Sequence, residues 1–256
     1  MRIVTNFQVL IALLYLCLST VVASIIVPNN FKASGLAKPP AFLLGGDSTT
    51  QSKTGWGDAF LTLIQKPATG QNFGRGGRTS VNYRTDEGGL PKLLAAVRRD
   101  AGQYSVIATL QFGHNDQNKG SGITPASFQT NMMGLAADIK KAGGTPLLVT
   151  PLSRTRFQGN KFRDTLAEWR TATIAAAKAG SYAYIDLNEA SSNYVKAIGE
   201  AASKQYSSDT THLTSKGGQV MARIVADLIL EKYSEFKQYL KEDAAMTSAI
   251  KSGQPV

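Results

Sequence analysis

The chain is poor in the two residues that most often build cross-links and metal centres, with one cysteine and two histidines among 256 residues. With Cys17 alone, disulfide scaffolds, iron–sulfur clusters and zinc fingers are excluded. A chain of this length has to be held by its core, and it is long enough to build one. His114 and His212 show neither H-x-x-x-H nor H-x-x-E spacing, so no metal centre and no cofactor are expected. Any chemistry that needs an imidazole must use one of these two. Runs of four or more Lys or Arg are absent and no aromatic platform is interleaved with them, which argues against nucleic acid as a partner. The glycine cluster Gly74–Gly77 departs from G-x-G-x-x-G at Thr79, and no G-x-x-x-x-G-K-[ST] occurs, so phosphate-cradling loops are not supported. No N-x-[ST] glycosylation acceptor follows residue 23.

What is present begins at the N-terminus. Arg2 is followed by an apolar run from Val9 to Leu18 and by Val21-Val22-Ala23, an order that reads as a secretory signal cut near Ala23–Ser24. The run is short and early for a membrane span, and an uncleaved N-terminal anchor is the alternative reading. Residues 1–23 are therefore expected to be a signal peptide, 24–40 an extended lead-in and 41–256 one domain, secreted and extracellular, with no membrane contact after cleavage. A monomer is expected. The formal charge of +10 loses only Arg2 with that segment. In a secreted protein such a basic surface suits an acidic polysaccharide, although charge for solubility alone explains it equally well.

From Ala41 onward the pattern alternates. Strands are expected at 41–44, 71–73, 105–112, 145–150 and 182–187. Helices fall at 57–64, 91–100, 125–141, 161–178 and 189–202, with a last one at 215–233 capped by Ser215. The strand segments at 41, 105, 145 and 182 are mostly apolar runs, as in parallel strands buried on both faces. The alternation implies a doubly wound α/β sandwich. The tail from Ser234 is charged and weakly periodic, and reads as a fraying helix.

Ligands of such sheets lie beyond the carboxyl ends of the strands. There the sequence places Gly45-Gly46-Asp47-Ser48-Thr49, Asn72 to Ser80, Gly113-His114-Asn115-Asp116 and Ser208 to His212. Ser48 follows a strand and two glycines, where a sharp turn lifts its hydroxyl clear of the sheet; a hydroxyl needs an adjacent base to become a nucleophile. Asp209 and His212 lie three residues apart, so one turn brings the carboxylate to one imidazole nitrogen and leaves the other for the serine. Donors for a developing oxyanion are the Ser48 and Gly77 backbone N–H groups and the Asn115 amide. His114 is a rival base, but a buried structural histidine bonded to a backbone group is the plainer reading. Asp47 and Asp116 are expected to tie down their own turns.

Taken together, Gly46-Asp47-Ser48-Thr49, Gly77, Gly113-His114-Asn115-Asp116 and Asp209-x-x-His212 resemble the four blocks of the SGNH (GDSL) hydrolase superfamily. Gly-Asp-Ser-Thr with Gly55-Trp56-Gly57 downstream, Asn72 to Thr79, and Gly-His-Asn-Asp look most like the rhamnogalacturonan acetylesterases, carbohydrate esterase family 12. The resemblance spans about Ala41 to Tyr233. It implies a three-layer α/β/α, flavodoxin-like fold with a five-stranded parallel sheet in the order 2-1-3-4-5, a Ser–His–Asp triad and no metal. The absence of G-x-S-x-G agrees with a fold other than that of the α/β-hydrolases. Gly76-Gly77-Arg78-Thr79 stands where the family more often has Gly-Arg-Ser, which leaves Gly76 as the neighbouring choice for the oxyanion glycine.

The function this implies is a secreted esterase removing acetyl groups from pectin, with Arg75, Arg78, Arg154 and Arg156 available for galacturonate carboxylates and Trp56 for stacking on a sugar, although a core tryptophan is the commoner case. Arg78 can equally anchor its own loop. A broader short-chain acylhydrolase, or a silent polysaccharide-binding protein on the same scaffold, are the alternatives.

Overall fold

A computed structural model describes residues 38–256. The expected signal peptide and nearly all of the lead-in lie outside these residues.

Five parallel strands form the central sheet: β1 (Pro40–Gly46), β2 (Thr69–Gly74), β3 (Ser105–Gln111), β4 (Thr145–Val149) and, after a two-stranded hairpin, β7 (Ala183–Ile185). Their order is β2-β1-β3-β4-β7, which is the expected order with the fifth sheet strand numbered seven. The apolar strand segments bury both of their faces. Phe42, Leu44, Ile107, Leu147, Val149 and Ile185 point into one core cluster. Ala41, Leu43, Val106, Ala108, Leu110 and Leu148 point into the other. This is the period-two alternation of a strand with a hydrophobic layer on each side.

The helices supply those layers. Helices α1 (Gly57–Leu61), α5 (Leu187–Ser203) and α6 (Ser215–Lys232) cover the first face. Helices α2 (Leu90–Asp100), α3 (Pro125–Lys141) and α4 (Ala167–Gly180) cover the second. The start of α3 shows why it forms there. Thr124 accepts the Ser127 N–H at 3.2 Å, Ser127 Oγ accepts the Thr124 N–H at 2.9 Å, and Pro125 occupies the first helical position, where its missing N–H is not needed.

Three expectations change. The helix expected at 161–178 begins only at Ala167, because Gly159 and Asn160 turn the chain with φ of 49° and 44° and pair β5 (Phe157–Gln158) with β6 (Lys161–Phe162). The cap of α6 is Thr214, whose side chain accepts the Gly217 N–H at 3.1 Å; Ser215 is the first helical residue. The tail beyond Ser234 is packed down. A 3-10 turn over Ser234–Tyr239 buries Phe236 and Tyr239, Leu240 bridges to Ile64, and α7 (Ala244–Lys251) follows.

One buried polar side chain at the end of β3 organises the end of β1. Gln111 is fully buried, and its Oε1 accepts both Thr50 Oγ1 and Trp56 Nε1 at 2.7 Å, while its Nε2 donates to Thr49 Oγ1 at 3.0 Å. Gln111→Ala leaves these groups buried without a partner. It is expected to lower stability by about 3 kcal/mol, read as a fall in the urea midpoint; a loss under about 1 kcal/mol would show that they find other partners.

Candidate active site

The turn after β1 is built around a glycine. A Cβ on Gly46 would lie 2.3 Å from Thr50 Oγ1 and 2.8 Å from the Gln111 carbonyl oxygen, so no side chain fits. Thr50 and Gln51 N–H groups close the turn on the Asp47 carbonyl, and Asp47 Oδ1 accepts the Thr49 N–H and hydroxyl, each at 2.8 Å. Ser48 sits at the apex of this turn.

The second half of the site comes from the loop before α6. Asp209 Oδ1 accepts the backbone N–H of Thr211 at 3.0 Å and of His212 at 2.7 Å. Its Oδ2 lies 2.6 Å from His212 Nδ1, and His212 Nε2 lies 2.9 Å from Ser48 Oγ. A carboxylate beside Nδ1 selects the tautomer with the proton there and leaves Nε2 as the acceptor for the serine hydroxyl. Partial burial of Asp209 raises its pKa, but the hydrogen bonds from His212 and Thr211 outweigh that and hold it at about 2. Asp209 is therefore charged throughout neutral and mildly acidic pH. The two halves are joined by backbone, since the Leu213 N–H donates to the Thr54 carbonyl at 2.8 Å.

The expected oxyanion donors also converge on this end of the sheet. Gly77 has φ +73° and open space where a Cβ would stand, so its backbone is accessible from outside. Its N–H has no partner among the described residues, whereas the Gly76 N–H donates to Gln51 Oε1 at 2.6 Å, which leaves Gly77 as the available donor. Asn115 Nδ2 donates one hydrogen to the Arg78 carbonyl at 2.9 Å, which fixes the amide against the Gly77 loop and leaves its second hydrogen.

Asp116 joins the loops that carry these two donors. Its Oδ1 accepts the Ser80 N–H at 2.8 Å and the Ser80 hydroxyl at 2.6 Å, and its Oδ2 accepts the Gly113 N–H at 3.1 Å. It thus ties down a neighbouring turn as well as its own. Burial pushes its pKa up against those bonds.

His114 is buried beneath the site and makes no bond to Ser48. Its Nδ1 faces Asp47 Oδ2 at 3.4 Å, so its neighbour is a carboxylate rather than the expected backbone group. Burial works against the Asp47 charge, but His114 and the Thr49 hydrogen bonds prevail and its pKa is lowered.

One expected substrate contact is corrected, and another takes the second of its two readings. Trp56 is fully buried, packs edge-on against Phe60 at 6.0 Å and gives its N–H to Gln111, so it offers no face to a sugar. Arg78 pairs with Asp86, which Arg75 also meets at 3.3 Å. Those bonds, the Arg78 one foremost, lower the Asp86 pKa to about 2, and the Arg78 side chain anchors its own loop. Arg154 is half-buried and donates to Thr211 Oγ1, beside the His212 loop. Gln111 and Gln51 were not singled out as site residues, because nothing in their local strings marks them.

Residues 44–220 match the GDSL-like Lipase/Acylhydrolase family. The chain belongs to that family. As a member it is a carboxylic ester hydrolase. It is 31% identical over 229 residues to rhamnogalacturonan acetylesterase RhgT of Bacillus subtilis (strain 168), covering 80% of this chain and 96% of that one. It is 29% identical over 196 residues to the same strain's protein named Probable rhamnogalacturonan acetylesterase YesY, covering 73% and 87%. Among solved structures, the YXIM protein from Bacillus subtilis superposes with a TM-score of 0.64 at 26% identity, over 76% of this esterase. This chain spans 57% of that longer protein.

Asp116→Ala removes the carboxylate from three buried donors of this esterase. It is expected to cost about 2 kcal/mol of stability and to lower kcat with little change in KM, because the oxyanion loops lose their common tie. Thermal unfolding and steady-state kinetics on the same sample check both; an unchanged kcat would separate Asp116 from the donors.

Proposed function

We propose that this chain is a secreted serine esterase that removes acetyl groups from plant cell-wall polysaccharide, rhamnogalacturonan first, acting as a monomer. The observation that carries the proposal is the hydrogen-bonded series Asp209–His212–Ser48, at 2.6 and 2.9 Å, in a member of this family. The substrate follows from the 31% identity to RhgT, and an excess of cationic groups suits an acidic polymer. The basic, apolar and small-residue order of the first 23 residues supports export, which brings the enzyme to a substrate outside the cell.

In this mechanism Ser48 Oγ attacks the acetyl carbonyl carbon as its proton passes to His212 Nε2. Asp209 holds the imidazole and stabilises the imidazolium. The oxyanion that forms is held by the N–H groups of Ser48 and Gly77 and by the Asn115 amide. When the tetrahedral intermediate collapses, the bond to the sugar oxygen breaks and His212 protonates that oxygen. Water then gives its proton to His212 and attacks the acetyl-serine, acetate leaves, and Ser48 recovers its hydrogen. No metal ion or cofactor enters any step.

The family's breadth supports a second reading, a short-chain acylhydrolase of wider scope. Acetate release from acetylated rhamnogalacturonan, xylan and homogalacturonan separates the two, together with chain length on aryl esters. The acetylesterase reading expects rhamnogalacturonan to be the best polymer and butyrate to be rejected. Preference for butyrate or longer acyl groups would favour the wider enzyme. Ser48→Ala and His212→Ala are each expected to lower kcat by about 10³-fold or more, and Asn115→Ala by about 10²–10³-fold. Substantial turnover by Ser48→Ala would remove the acyl-enzyme from the mechanism.

A further inference from the structure

Beside the triad, and not used by it, lies a polar cavity of about 440 Å³. Its walls come from three places. Arg156 and Phe157 belong to the start of the β5–β6 hairpin, Glu200 and Lys204 to the end of α5, and Asp209 and Thr210 to the triad loop itself. Its volume falls within the range of about 300–1,000 Å³ usual for sites that hold small organic ligands.

The walls are held in place. The Thr155 N–H donates to the Thr210 carbonyl at 2.9 Å, and the Arg163 N–H donates to the Arg156 carbonyl at 2.9 Å, so the hairpin is fastened to the loop that carries Asp209. Phe157 meets Phe162 edge-on at 5.7 Å, and Lys196 lies 5.5 Å from the Phe162 ring centre. The cations are the unusual part. Arg156 is exposed and makes no ion pair among the described residues. Lys204 meets Glu200 only at 3.9 Å and with most of its side chain in water. Asp209, the other acid of the wall, is committed to His212. Two cations without a firm carboxylate partner, next to an aromatic ring in a polar hollow, form a receptor for a carboxylate carried on a ring with an apolar face.

We propose that this cavity is a subsite for a uronic acid unit of the substrate chain, on the Asp209 side of the acetylated sugar and beyond it. It rests on the acidic-polysaccharide reading above. Arg156 and Lys204 take the carboxylate, and Phe157 packs against the pyranose ring. Because the cavity shares Asp209 with the triad, a sugar bound there holds the polymer at the reacting serine.

The test compares wild type with R156A/K204A on acetylated rhamnogalacturonan oligosaccharides, on acetylated xylo-oligosaccharides, which carry no uronate, and on p-nitrophenyl acetate. The double variant is expected to lose about tenfold more in kcat/KM on the acidic substrate than on either neutral one, chiefly through KM. R156K should recover more than R156A, and added salt should raise the wild-type KM on the acidic substrate alone. Calorimetric titration of short oligogalacturonates into S48A, and into S48A/R156A/K204A, reads the subsite without turnover; binding is expected in the first and lost in the second. If the acidic substrate is deacetylated and the double variant loses equally on all three substrates, the subsite is overturned and the acetylesterase stands. If no acetate leaves the acidic substrate but oligogalacturonate binding still depends on the two cations, the proposed substrate falls and the subsite stands. Absence of both overturns both.

Discussion

The hydrogen bond between Ser48 and His212 joins residues 164 positions apart, and the rest of the structure is arranged so that it can form. The serine is carried by β1, which lies between β2 and β3. The histidine arrives on the loop before α6, a helix that packs on the same sheet face as α1. Each partner is set by its own local device, Gly46 for the turn of one and the Asp209 carboxylate for the loop of the other. Neither device reaches across. The bond from Leu213 to Thr54 and the shared apolar layer beneath do, which makes the reaction geometry a property of the whole α/β/α sandwich.

The buried amides and carboxylates around this bond divide the work. Gln111 holds the nucleophile turn from below, Gln51 takes the Gly76 N–H and so leaves that of Gly77, and Asp116 ties the Gly77 and Asn115 loops together. Each uses most of its hydrogen-bonding capacity on main chain or hydroxyl groups. A polar network buried and satisfied in this way favours one arrangement over its neighbours.

Most of the architecture was legible because the strands are apolar runs and the helices lie between them, as with Pro125 at the start of α3. Ser48, Asp209 and His212 were legible for a different reason. Each sits in a short string at the end of a strand or in a loop, and the three-residue step brings the Asp209 carboxylate to His212 Nδ1, while the contact with Ser48 is set by the fold. Gln111 was not legible, since its role depends on the register that sets it beside Gly46. Trp56 could be read two ways, as a platform for a sugar or as the commoner core tryptophan, and the turn folds it under the sheet edge onto Phe60. The hairpin at 157–162 was hidden by its brevity: two residues per strand leave no alternation to detect.

Thr210 carries a consequence of another kind. It holds φ of +73°, a conformation that β-branched residues avoid at a cost of about 1–3 kcal/mol. It lies between Asp209 and Thr211, and its carbonyl accepts the single backbone bond from Thr155. The loop bearing Asp209 and His212 is thus a spring kept compressed by its neighbours. On warming, such a segment lets go before the sheet does. Heat should therefore inactivate the enzyme in two stages, a reversible slackening of this loop with the sandwich still folded, and only later the loss of the fold.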